Sequence, residues 1–145
     1  MEDLKIIGEK NIFFIPNVKF SVQTGICELD GESYLENTFA FYAPLLKWLE
    51  DYMVHVNKPL TFNFSLIYFN TSSSRSILDI LNTLKQYEKQ GGSVTVNWKI
   101  RDWDEDLKQE IEDFSIDSDL PIYTKNYWCV FVVRVTKPGN VNTNF

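Results

Sequence analysis

Chemistry in this chain concentrates in one run, Asn70-Thr71-Ser72-Ser73-Ser74-Arg75-Ser76, where four hydroxyl side chains stand in a row. A hydroxyl is a weak nucleophile unless a neighbouring base activates it. The only histidine is His55 and no G-x-S-x-G motif occurs, so a Ser-His-Asp mechanism has little to build on. The surroundings of the run point to a different use. Leu60 to Phe69 alternates as a strand before it, and Ile77 to Gln90 repeats as a helix after it. The hydroxyls therefore sit where a strand ends and a helix begins. Backbone N–H groups lack partners there and the helix end is partly positive. A phosphate carried on one hydroxyl would be held by those donors, with Arg75 adding a charge-assisted bond. The plainer reading is an N-cap, for which Ser and Thr are well suited. One hydroxyl is enough for a cap, and the other three are then surplus.

A second group of functional residues lies in Gly31-Glu32-Ser33-Tyr34-Leu35-Glu36-Asn37, read as a polar loop. Glu32 and Glu36 could pair as catalytic carboxylates, ligate a cation, or be solvated acids; a docking surface fits best, since Tyr34 between them is of a type enriched at interfaces. Cys27 and Cys129 have no metal or redox spacing and read as small buried hydrophobes. Neither a P-loop nor G-x-G-x-x-G occurs. His55 reads as a surface group near a helix C-terminus.

The elements that must position these groups follow from periodicity. Ile12–Ile15 and Val18–Val22 form a strand broken at Pro16-Asn17, and Ile26–Leu29 follows a Thr24-Gly25 turn as its hairpin partner. Asp30-Gly31 is expected to end that strand. Asn37 or Thr38 caps a helix with Leu45, Leu49, Tyr52, Met53 and Val56 on one face. Pro44 sits in its first turn or kinks it. In the next strand Leu60, Phe62, Phe64, Leu66 and Tyr68 point one way, and Thr61, Asn63, Ser65, Ile67 and Phe69 the other. Ile77, Leu78, Leu81, Leu84 and Tyr87 or Glu88 line one side of the helix that Gly91-Gly92 stops. Val94 to Ile100 is a strand, Asp102 to Glu105 opens a helix, and Leu120 to Thr124 is a last short strand. Alternating strands and helices with such connections imply parallel pairing.

The chain of 145 residues is 44% hydrophobic, which supplies one core and leaves too little for two. A net charge of -6 without a dense Lys/Arg cluster argues against a nucleic-acid surface. Met1-Glu2-Asp3-Leu4 carries acids early, and the longest apolar run, Tyr127 to Val133, falls far short of the roughly 20 residues that span a bilayer. A cytoplasmic protein is expected. That apolar run is also a candidate edge strand or contact between copies, followed by a polar tail.

Tyr68-Phe69-Asn70-Thr71-Ser72-Ser73 entering a helix with Asp79, together with Gly31-Glu32-Ser33-Tyr34 and Glu36-Asn37, and with Gly91-Gly92 before a strand containing Trp98, resembles the SiaC-type regulatory phosphoproteins of bacteria. The likeness runs over about residues 4 to 124. It implies a small STAS-like α/β domain, a sheet of four to five strands flanked by helices over residues 1–125, with 126–145 as a C-terminal extension. It implies a non-enzymatic switch without cofactor or metal, like an anti-sigma-factor antagonist. A cognate Ser/Thr kinase would phosphorylate Thr71, a PP2C-type phosphatase would reverse it, and the unmodified form would bind an effector such as a diguanylate cyclase in cyclic-di-GMP signalling. Partner contacts would fall on Glu32, Ser33, Tyr34, Glu36, Asn37, Asn70, Ser72, Ser73 and Arg75. The alternative is a small-ligand-binding or hydrolytic domain that uses the Glu32/Glu36 loop and the Thr71 turn as a pocket.

Overall fold

Alternation in the strands and 3.6-residue periodicity in the helices meet in one core. The computed structural model describes residues 1–126. The Tyr127–Val133 run, Cys129 and the polar tail lie outside the described residues. In chain order the elements are β1 (Leu4–Ile6), β2 (Glu9–Lys10), β3 (Phe14–Ile15), β4 (Asn17–Phe20), β5 (Ile26–Ser33), α1 (Thr38–His55), β6 (Leu60–Phe69), α2 (Thr71–Lys89), β7 (Val94–Ile100), α3 (Glu105–Ser118) and β8 (Ile122–Asn126). Six strands form a mixed sheet in the order β1-β4-β5-β6-β7-β8. Pairing is antiparallel from β1 to β5 and parallel from β5 to β8.

The sheet is wider than the expected four to five strands, because Leu4–Ile6 adds an edge strand too short to show alternation. The broken strand divides at Pro16: Phe14–Ile15 pairs with Glu9–Lys10 in a separate ribbon, while Asn17–Phe20 joins the main sheet. Proline lacks the N–H a ladder needs, so a change of sheet there is natural.

The buried strand residues, among them Cys27, Leu29, Phe62, Phe64, Leu66, Val96 and Trp98, belong to the same core as the apolar faces of all three helices. The helices thus cover one face of the sheet. On the other face Glu28, Asp30, Asn63, Ser65, Asn97 and Lys99 alternate with the core residues and are half-buried or exposed. Parallel strands usually lie between two helical layers; here polar side chains let one face stay wet. Trp98 ties the layers together. Its ring stacks on Phe64 at 4.4 Å and on Phe114 of α3 at 5.9 Å, and its Nε1–H donates to the Leu66 carbonyl at 3.1 Å.

Two local departures set the geometry of the C-terminal ends of the central strands. Asp30-Gly31 does not end β5. Gly31 adopts φ of 105° inside the strand, a conformation that glycine alone takes easily. Opposite it the register slips, with Gly31 beside Leu66 but Glu32 beside Tyr68, so Ile67 is an extra residue in β6. A bulge reverses which side chains point inward beyond it. Tyr68, expected on the core side, is 49% exposed, and Phe69, expected opposite, is 9% exposed. Pro44 lies inside α1 rather than in its first turn. It is exposed, so solvent can satisfy the Ala40 carbonyl that the proline leaves without its usual donor.

Candidate functional site

Parallel strands β5 and β6 deliver their C-terminal ends side by side, the usual location of sites in open α/β sheets. There the hydroxyl run forms the first turn of α2. The cap is Asn70 rather than a hydroxyl: its Oδ1 accepts the Ser73 N–H at 3.0 Å and the Ser72 hydroxyl at 3.2 Å. Thr71 is the first helical residue and is exposed. Because Asn70 does the capping, the Thr71 hydroxyl is not required for helix initiation.

The start of α1 repeats this arrangement. Asn37 caps it, accepting the Ala40 N–H at 3.1 Å, and Thr38 is its first residue. The two starts are joined by a 2.8 Å hydrogen bond between Thr38 Oγ1 and Ser72 Oγ. Since Ser72 gives its proton to Asn70, Thr38 is the donor. Thr38, the alternative cap candidate, is instead the first helical residue, and its link to Ser72 was not anticipated.

Beneath the turn lies a buried hydroxyl chain. Ser33 Oγ donates to Ser73 Oγ at 2.7 Å, and Ser73 Oγ donates to the Ser33 carbonyl at 3.1 Å. With Ser33's only proton spent, the Tyr42 phenol must be the donor in its 2.7 Å bond to Ser33 Oγ. Burial pushes the Tyr42 phenol up to about 12, partly offset by its serine hydrogen bonds, so it stays a neutral donor. The Ser33 carbonyl also accepts the Asn70 N–H at 3.1 Å. Ser33 and Ser73, expected at the partner face, are both 0% exposed. They point inward because Ser33 continues the inward set of β5 and Ser73 faces the core from α2. Their role is to hold the turn from below.

The remaining expected residues surround the turn. Glu32 makes a long ion pair with Lys10 of β2, 3.7 Å. Tyr34 is exposed, exchanges two backbone hydrogen bonds with Phe14, and rests against the Phe13 and Phe14 rings. Gly31–Ser33 are strand, so the loop shrinks to the residues around Leu35 and Glu36, the latter exposed. Arg75, one turn beyond Thr71, makes a solvated pair with Asp79 at 3.8 Å. Phe39, in the first turn of α1, is 78% exposed and was not anticipated.

Other chemistry finds little support. Among the described residues no cluster of His, Cys, Asp and Glu could hold a metal ion. Cys27 is buried, and burial pushes its thiol well up from the ordinary range. His55 ends α1 and is exposed. A groove of about 590 Å³ runs along the open sheet face, lined by residues such as Glu28, Asp30, Asn63, Asn97, Lys99 and Lys125. None of its lining residues comes from the Glu32/Glu36 loop or the Thr71 turn. No helix among the described residues is long and apolar enough to cross a membrane.

Comparison with known proteins gives a consistent picture. The family model described as SiaC family regulatory phosphoprotein matches residues 8–127. An uncharacterized protein of Pseudomonas aeruginosa is 29% identical over 121 residues, spanning 83% of this chain and 94% of its own length. The crystal structure of apo-SiaC from Pseudomonas aeruginosa superimposes with a TM-score of 0.77 at 27% identity, covering 86% of this chain and 99% of that one. SiaC in the crystal structure of the diguanylate cyclase SiaD in complex with its activator SiaC, from Pseudomonas aeruginosa, gives 0.80 at 27% identity, with the same coverage.

Proposed function

The chain belongs to the SiaC family of regulatory phosphoproteins, and on that premise we propose that it is a cytoplasmic partner-switching protein whose switch is Thr71. A cognate Ser/Thr kinase modifies Thr71 and a PP2C-type phosphatase restores it. The unmodified form binds an effector, a diguanylate cyclase by analogy with the relative solved as an activator bound to one. Residues 1–125 are the regulatory unit and 126–145 an extension to it.

The observation that carries this reading is the exposed Thr71 hydroxyl at the first position of α2, in a turn already capped by Asn70. Phosphorylation adds roughly -1.5 to -2 charges there. The positive helix end and its unpaired N–H groups tolerate that charge, so the carrier stays folded. A partner that covers the turn must desolvate the dianion, which costs several kcal/mol without a matching cation. Tyr34, Glu36, Asn37, Asn70, Ser72 and Arg75 ring the covered area, with Glu32 at its edge.

Peptide mass spectrometry of the protein recovered from its own host should locate phosphate on Thr71; phosphate elsewhere with Thr71 bare overturns the assignment. Against a diguanylate cyclase from that host, Thr71→Ala should keep its affinity and Thr71→Glu should lose about tenfold or more, equivalent to ~1.4 kcal/mol. Equal affinities would remove the switch.

A further inference from the structure

Thr71, Ser72, Ser73 and Ser74 offer a kinase four neighbouring nucleophiles of similar intrinsic reactivity. We infer that the buried chain Tyr42–Ser33–Ser73 selects among them, acting as a positioning device that presents Thr71 and withdraws the serines. This rests on the phospho-switch reading and names what gives that switch its single site.

Each hydroxyl has a distinct fate. Ser73 is 0% exposed, accepts from Ser33 and donates to the Ser33 carbonyl. Ser72 is exposed but doubly engaged, donating to Asn70 Oδ1 and accepting from Thr38. Ser74 is half-buried one turn further into the helix. Thr71 alone is both exposed and at the helix tip.

Transfer requires the acceptor oxygen to reach the γ-phosphorus of ATP. The new O–P bond forms as the bond from that phosphorus to the β-phosphate oxygen breaks, ADP leaves with the electron pair, and the hydroxyl proton passes to a base of the kinase. Ser72 can reach that geometry only by surrendering two neutral hydrogen bonds, a factor of roughly 20–30 in rate. Ser73 must leave the core altogether.

The clamp also fixes the register of the turn. The Ser33 carbonyl takes both the Asn70 N–H and the Ser73 hydroxyl, so cap and first turn are both tied to the end of β5. The bond from Tyr42 orients the Ser33 hydroxyl and leaves Ser73 one available direction for its proton. Loosening any member frees the turn to rotate and bring Ser72 forward.

The test quantifies phosphate on each residue of the tryptic peptide ending at Arg75, using protein expressed in its native host. Wild type and Thr71→Ser should carry phosphate at position 71, showing that serine is chemically acceptable there. Thr71→Ala should drop total phosphate about 20-fold or more. Adding Ser73→Ala or the milder Tyr42→Phe to Thr71→Ala should restore phosphate about tenfold, on Ser72. Phosphate on Ser72 or Ser74 in Thr71→Ala at close to the wild-type level, with the clamp intact, would overturn the inference. So would an unmodified Thr71→Ser, or folded clamp variants, judged by circular dichroism and cooperative unfolding, that leave Ser72 bare. Wild type without phosphate on Thr71 sinks the underlying reading instead, so the two failures are told apart. Independently of any kinase, Tyr42→Phe should speed amide hydrogen exchange at Asn70 and Ser73; unchanged exchange there refutes the clamp.

Discussion

The two helix starts, Asn37-Thr38-Phe39-Ala40 and Asn70-Thr71-Ser72-Ser73, are alike in sequence and in capping yet differ in what lies beneath them. In α2 the fourth residue is Ser73, anchored in the core through Ser33 and Tyr42. In α1 the fourth residue is Ala40, exposed and without a side-chain donor. The first residues differ accordingly: Thr38 spends its hydroxyl on Ser72, while Thr71 stays on the surface. The lesson is that an Asn-Thr helix start is not by itself a regulatory site. Support from below and an unspent hydroxyl above are what distinguish the second start from the first.

The comparison can be broken most forcefully at Tyr42, where α1 supports α2. Tyr42→Ala removes a 1% exposed ring and its hydrogen bond and should cost ~3–5 kcal/mol in urea unfolding. Phe39→Ala, three residues earlier but at the surface, should change stability by no more than ~0.5 kcal/mol. Comparable losses would mean that the inside of α1 has no special role under the turn.

Next in size is alkaline stability. The Tyr42 phenol titrates near 12 when folded, above its ordinary value of 10.0. The unfolded chain therefore loses this proton first, and stability falls between about pH 10 and 12. The full contribution is present below pH 10 and gone above 12, a difference of about 2–3 kcal/mol. Burial also raises Tyr52 and Tyr87, so the diagnostic is the difference between wild type and Tyr42→Phe. Parallel pH curves for the two would remove Tyr42 from the account.

The smallest contrast lies in the caps. Asn70 accepts from both the Ser73 N–H and the Ser72 hydroxyl, whereas Asn37 accepts from the Ala40 N–H. Asn70→Ala should cost ~1–2 kcal/mol and Asn37→Ala ~0.5–1 kcal/mol, measured by thermal or urea unfolding. The reverse order would show that α1, not α2, has the more heavily used start.

Much of the architecture was legible because strong periodicity survives packing. The alternation of Leu60 to Leu66 and Val94 to Ile100, the helical stripe of Ile77, Leu81 and Leu84, and the parallel pairing they imply all appear in the fold. The departures arise where backbone geometry overrides pattern. Asp30-Gly31 looks like a turn, but glycine's positive φ also suits a strand facing a bulge. The bulge residue Ile67 is an ordinary β-former and carries no local mark, so the inward direction of Phe69 could not be read from it.

At the site, Thr71 and Asn70 were legible as a strand-to-helix junction. The inward direction of Ser33 and Ser73 was not, because serine is equally at home on a surface or paired inside a core. Tyr42 and the bond from Thr38 to Ser72 were missed for a related reason: the partners lie 9 and 34 residues away. The shared Asn-Thr dipeptide could not single out the joined helix starts, since it also occurs at Asn82-Thr83 and Asn142-Thr143.

The extra residue at Ile67 has a consequence for how such a site can be gained or lost. Half a pleat is inserted just before Thr71, so everything from Tyr68 to Ser74 is phased by counting rather than by chemistry. If Ile67 instead took a regular place in the ladder, Tyr68 would turn inward, Phe69 would turn to water and the hydroxyls would swing around the axis together, with every amino acid kept. In a related chain, loss of this bulge with the residue count kept would therefore displace the Thr71 turn more than substitution of any single serine around it.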